Sequence, residues 1–163
     1  MSVSGEPLLD AEHAAFIQGA VSIVAGSRDA ANVPRLARAL GCRVSDDRRR
    51  VTVFLAAFQA AALLAAIRAE GAIAVAFNLP STHRAFQLKG TDATVVPLDA
   101  SDVEWAKRYA DAFVADIGLL GYSGALGRAL LWFEPAELTG VTFTPSAAFE
   151  QTPGPRAGEK VGG

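Results

Sequence analysis

Four consecutive residues, Ser81, Thr82, His83 and Arg84, bring two hydroxyls, an imidazole and a guanidinium into one loop ahead of a strand. Such a set can cradle an anion, and it can equally form a Ser/Thr turn with a solvated arginine. To act as an acid or base His83 needs an orienting partner, and its only histidine companion, His13, lies far upstream. Lys89 follows Phe86 and Leu88 in an alternating run. If those two fill an interior, the lysine faces an outer cleft, where a phosphate or a ring carbonyl can lie. Cys42 stands between Arg38 and Arg43, whose charges would lower its pKa, although a small buried hydrophobe is the simpler reading. Trp105, Tyr109 and Phe113 recur at i, i+4 and i+8, a spacing that suits a stacking platform or helix packing. No residue identifies itself as catalytic, and a lone cysteine with two histidines gives no metal site.

These side chains belong to a chain of 163 residues, 51% hydrophobic, with 15 basic and 17 acidic residues and a net charge of −2. That length suits one domain, expected over residues 1–150, followed by a Pro/Gly-rich tail over 151–163. The charge balance argues against a nucleic-acid partner. The longest apolar run, Val53 to Ile67, is short for a membrane span and contains Gln59, while residues 1–10 lack a basic-then-apolar signal layout. A cytoplasmic protein with no membrane partner is expected.

The elements follow from local patterns. Asp10 caps a short helix over 11–18. Strands are expected at Val21 to Ala25, Val33 to Val44 and Val51 to Leu55, with the polar SDDRRR of residues 45–50 as a solvated hairpin tip. QAAALLAAIRAE, residues 59–70, is a helix closed by Gly71. Ala72 to Phe77 is apolar at every position, as in a strand covered on both faces. A strand from Phe86 continues past a bend at Gly90 to Val96. Ser101 to Glu104 form a capping box for a long amphipathic helix ending at Gly118, and a second short helix runs from Ala125 to Trp132. Leu138 to Phe143 is the last strand, after which Pro145 to Phe149 turns away, and the tail is ordered only if something docks it.

This order predicts a mainly β protein with flanking helices, its sheet mostly antiparallel and closed. Side chains fill so small a barrel, so a ligand must sit outside it or at a subunit junction.

The succession VSIVAGSRDAANVPRLARA, VTVFL, QAAALLAAIRAEGAIAVAF, PSTHRAFQLKGTDATVV and VTFTPSAAFEQTPGP resembles the pyridoxamine 5′-phosphate oxidase-like family, the FMN-binding split barrels. The resemblance implies a six-stranded antiparallel split β-barrel, a homodimer, and FMN held in two clefts at the dimer interface. It further implies a phosphate-binding arginine on the second strand, where Arg35 and Arg38 stand. Many members start the following helix with a basic residue, where this chain has Phe58-Gln59-Ala60. A charged hydrogen bond to phosphate contributes about 1.5 to 3 kcal/mol, and Gln59 offers only a neutral one. The oxidase has Arg-Gln after the loop, its Gln on the flavin ring; here Ala85 follows Arg84, and Gln87 is the nearest amide on that strand. The cofactor-binding residues expected from loop chemistry and resemblance together are Arg35, Arg38, Gln59, Thr82, Arg84, Gln87 and Lys89. The implied activity is that of an FMN-dependent oxidoreductase acting on an unidentified small molecule. The alternatives are a non-enzymatic binding protein on the same scaffold, favoured by the Ala-rich helix start, and a haem-binding split barrel with His83 as axial ligand.

Overall fold

A computed structural model describes residues 5–162. Helix α1 (Ala11–Ile17) leads into β1 (Ser22–Arg28), β2 (Pro34–Arg38), β3 (Cys42–Val44) and β4 (Val51–Ala56). Then come α2 (Ala61–Glu70), β5 (Ile73–Asn78), β6 (Ala85–Gly90), β7 (Thr94–Pro97), α3 (Ala100–Gly118) and α4 (Gly124–Leu130). The chain ends on β8 (Leu138–Phe143), β9 (Ala147–Glu150) and β10 (Lys160–Val161). The described residues are therefore mainly β with four α-helices. All strand pairs are antiparallel, in one sheet ordered β10-β9-β6-β5-β1-β2 and another ordered β3-β4-β8-β7.

Two expected strands each divide between the sheets. The run Val33 to Val44 breaks at Ala39–Gly41, where the Ala39 amide donates to the Ile23 carbonyl and the Leu40 amide to that of Phe54. Gly41 has φ +152°, and a Cβ there would lie 2.9 Å from the Phe54 ring, so only glycine passes the chain across at this point. The run from Phe86 likewise ends at Gly90, where a Cβ would lie 2.7 Å from the Phe143 ring, and resumes as β7 in the other sheet.

The strand expected to be covered on both faces is β5, and it is covered on one. Ile73, Val75 and Phe77 are buried while Ala74 is partly buried and Ala76 exposed. Alanine reads as apolar in a sequence, but its single methyl tolerates solvent, so composition alone misassigned this face. The capping box lies two residues earlier than expected, with Asp99 in place of Ser101 as cap and Asp102 reaching back to the Asp99 amide. Residues 147–150 form β9 rather than turning away, and the tail returns as β10 along Ala148 and Phe149.

Between the layers Phe54, Phe77 and Phe143 are fully buried, joined by Leu63, Leu64 and Ile67 of α2. Helix α3 buries Ala106, Tyr109, Phe113 and Ile117. The Tyr109 hydroxyl donates to the Val21 carbonyl at 2.6 Å and the Trp105 indole to that of Cys42 at 3.0 Å, so this aromatic row is packing. Burial also pushes the Cys42 thiol far up, away from reactivity. No helix among the described residues is long and apolar enough to cross a membrane.

Candidate functional site

Strand pairing lines up two rows of side chains on the outer face of the six-stranded sheet. One runs Arg38, Val24, Ala76, Gln87, Phe149, and the next runs Leu36, Gly26, Ala74, Lys89, Ala147. Phe86 and Leu88 point the other way into the core, as the alternation of β6 requires. Small residues thus occupy the middle of this face, with Leu36, which is 68% exposed, folded across Gly26.

At one end of the face an open groove of about 610 Å³ forms between the ends of β1, β5, β6 and β9. Its floor is Gly26, Ala72, Ala74 and Ala147, and its polar groups are Ser27, Arg28, Lys89, Thr91 and Ser146. A volume of this order is normal for a small-molecule site. Among the described residues neither Arg28 nor Lys89 forms an ion pair. The Lys89 ammonium lies 5.0 Å from the centre of the Phe149 ring, and the Arg28 guanidinium donates to the Asn32 side chain. Ser27 donates to the Ala72 carbonyl at 2.7 Å, and the Ser146 amide donates to that of Lys89 at 2.8 Å, which fixes the groove walls.

The other residues singled out from sequence lie elsewhere. Arg38 shares the first row with Gln87, three strand spacings away, roughly 14 Å, and donates to the Ser22 hydroxyl at 2.8 Å. Arg35 projects to the opposite side of β2 and grips Asp29 through Nε at 3.1 Å and Nη2 at 2.8 Å. The Val33 amide and this guanidinium hold the Asp29 carboxyl below its ordinary range. Thr82 and Arg84 stand in the turn before the far end of β6, Arg84 five residues from Lys89 or roughly 16 Å along the strand. There Arg84 bonds Glu12 at 2.8 Å and covers the Phe16 ring at 4.5 Å, while Thr82 accepts from the Arg84 amide. Ser81, in the same loop, donates to the Asp116 carboxylate at 2.6 Å, so the chain's own carboxylates already engage the donors of this turn. His83 is exposed on that turn in the left-handed region, φ +60°, outside the groove.

Gln59 lies in a third place, at the start of α2. With Ala56, Phe58, Trp132, Phe133, Glu134 and Glu137 it lines a pocket of about 210 Å³. The N-cap of this helix is Ala60, with no side-chain hydrogen bond.

Alternation along β6 was enough to place Lys89 on the outer face. Thr91 and Ser146 carried no local signal, because they reach the groove only through the sheet crossing after Gly90 and the unforeseen β9. Glu134 and Glu137 meet Gln59 only because β8 pairs with β4.

No family model matches this chain, and no curated protein does. Solved structures do. An F420 reductase aligns at 13% identity over 86% of this chain and 98% of its own, with a TM-score of 0.57. A Lactobacillus delbrueckii protein provisionally named a pyridoxamine 5′-phosphate oxidase aligns at 16% identity over 90% and 97%, with a TM-score of 0.52. The fold is that of the pyridoxamine 5′-phosphate oxidase-like proteins. HupZ of Group A Streptococcus has it too, at 18% identity over 92% of this chain and 99% of its own, TM-score 0.55. On this oxidase-like fold, then, the seven expected side chains divide among the outer sheet face, the Asp29 hairpin, the α1 contact and the α2 pocket.

Proposed function

We propose that this chain is an FMN-binding split-barrel flavoprotein and an oxidoreductase acting on an unidentified small molecule. The observation that carries the reading is the convergence of Lys89, Arg28 and the hydroxyls of Ser27, Thr91 and Ser146 over a floor of small residues. This donor set fits a flat, anionic cofactor. Two cations without ion-pair partners among the described residues are available to a phosphate. Gly26, Ala72, Ala74 and Ala147 leave a ring system room to lie against the sheet. The Gln87 amide, on the same face, supplies a hydrogen-bond donor for a polar ring atom. When bound, FMN supplies the hydride or electron chemistry. The chain's own contribution is to anchor the phosphate, orient the ring and, with a second copy, exclude water.

The same proposal includes a six-stranded barrel within residues 1–150, a tail over 151–163 that straps its edge, a homodimer formed on the outer sheet face, and a cytoplasmic location. A second reading, a non-enzymatic binding protein on this scaffold, draws on Arg35 and Arg84 being engaged with Asp29 and Glu12 and on Gln59 sitting beside two glutamates.

A visible absorption spectrum of the purified protein, before and after incubation with FMN, separates the two. The flavoprotein reading expects a yellow protein whose melting temperature rises with FMN, since a ligand at a hundred times its Kd stabilises by about 2.7 kcal/mol. A colourless protein with an unmoved melting temperature leaves the non-enzymatic reading.

A further inference from the structure

The pocket at the start of α2 has the opposite character from the groove under Lys89. Two of its walls are aromatic side chains that the fold leaves in solvent, Phe58 at 85% exposure and Trp132 at 60%. Large apolar side chains held open in this way at one concavity mark a binding surface more often than an isolated exposed residue does. Phe133 is the third aromatic, and Glu134 and Glu137 complete the rim. No basic residue lines this pocket. Among the described residues neither carboxylate enters an ion pair or accepts a side-chain hydrogen bond.

The pieces are fixed to one another through the backbone. The Ala57 amide donates to the Glu137 carbonyl at 2.8 Å, and the Glu137 amide to that of Glu134 at 2.9 Å. The loop carrying Phe58 and Gln59 is thereby fastened to the turn carrying the glutamates. An anion here meets two carboxylates and finds only Gln59 and the backbone amides of the helix start as donors, so a phosphate is disfavoured. A cation meets three aromatic side chains and both carboxylates, the two kinds of group that recognise organic ammonium ions. The volume of about 210 Å³ falls below the range of whole drug-sized ligands and suits a headgroup.

We infer that this pocket binds an organic ammonium group, with Trp132 and Phe58 as its aromatic walls and Glu134 and Glu137 as its counter-charges. The site lies apart from the Lys89 groove and stands or falls independently of FMN binding there.

The chain has two tryptophans, so Trp132→Phe identifies the Trp132 indole N–H resonance in the full-length protein. Titration with choline moves that resonance saturably. The neutral isostere 3,3-dimethylbutan-1-ol, alike in shape but uncharged, binds at least about tenfold more weakly. The double variant Glu134→Gln, Glu137→Gln, both at exposed positions, weakens choline by at least about threefold and leaves the alcohol unchanged. Trp132→Ala, followed by calorimetry, abolishes choline binding while the circular dichroism spectrum of the same sample is unchanged. The inference is overturned by equal affinity for choline and the alcohol, by unchanged choline affinity in the glutamine variant, or by an absent saturable shift. It is overturned too if inorganic phosphate or FMN moves the Trp132 signal in place of choline.

Discussion

Lys89 and Arg84 carry the same charge at the two ends of one strand, and their neighbours give them different work. Arg84 is bound to Glu12 and lies on Phe16, whereas Lys89 touches only a ring face and opens onto the groove. On the proposed FMN reading, Lys89→Gln is expected to lower FMN affinity by about ten- to a hundredfold, the loss of one charged hydrogen bond of about 1.5–3 kcal/mol. Arg84→Gln leaves it within about twofold, since an exposed pair of this kind contributes little to anything remote. Titration of flavin fluorescence with each variant checks both outcomes, and equal losses would remove Lys89 from the anchor. Lys89 was legible in the sequence because strand alternation is a local rule. Arg35 was not, because its availability depends on Asp29, a partner delivered by the geometry of the β1–β2 hairpin.

Helix α3 shows how a single terminus responds to pH. The Asp99 carboxylate accepts from the Ser101 hydroxyl at 2.6 Å and from the amides of Ser101 and Asp102 at 2.8 and 3.1 Å. The Ser101 hydroxyl foremost, then the Asp102 amide, lowers its pKa below the ordinary value. A carboxyl with a depressed folded pKa stabilises above its unfolded pKa, and the contribution disappears as the pH falls through the folded value. Asp99→Ala thus lowers the melting temperature by roughly 2–4 °C at neutral pH. Scanning calorimetry across the acidic range should find the two proteins converging as the carboxylate is protonated. At this scale the helices were legible: α2 ends where Gly71 turns left-handed, φ +67°, and α3 runs to Gly118. The strands were less so. A β-branched run looks the same whether it stays in one sheet or crosses to another, and the crossings depend on how close Phe54 and Phe143 come to Gly41 and Gly90.

For the whole molecule, the outer sheet face is the surface on which the proposed homodimer would form. Leu36 is exposed there beside Val24, Ala74 and Ala76, in a face too apolar in its middle to be indifferent to a partner. Light scattering coupled to size exclusion is expected to give twice the chain mass of 17.0 kDa for the wild type. Leu36→Asp, which puts two charges into a two-fold contact, yields the single-chain mass with an unchanged circular dichroism spectrum. A wild type that elutes as one chain overturns the homodimer. The mainly antiparallel layout was readable from element order, while β9 and β10 were not, because the tail gains its partner only after β9 lies against β6.

The crossing at Ala39 and Leu40 also governs how the protein can come apart. Adjacent amides there belong to different sheets, one bonded to Ile23 and the next to Phe54. Fraying that spreads along β2 from its free edge must stop at this covalent stitch or break both sheets at once. Their amide protons accordingly share one protection factor, that of global opening, and the two halves of the molecule melt as one cooperative unit.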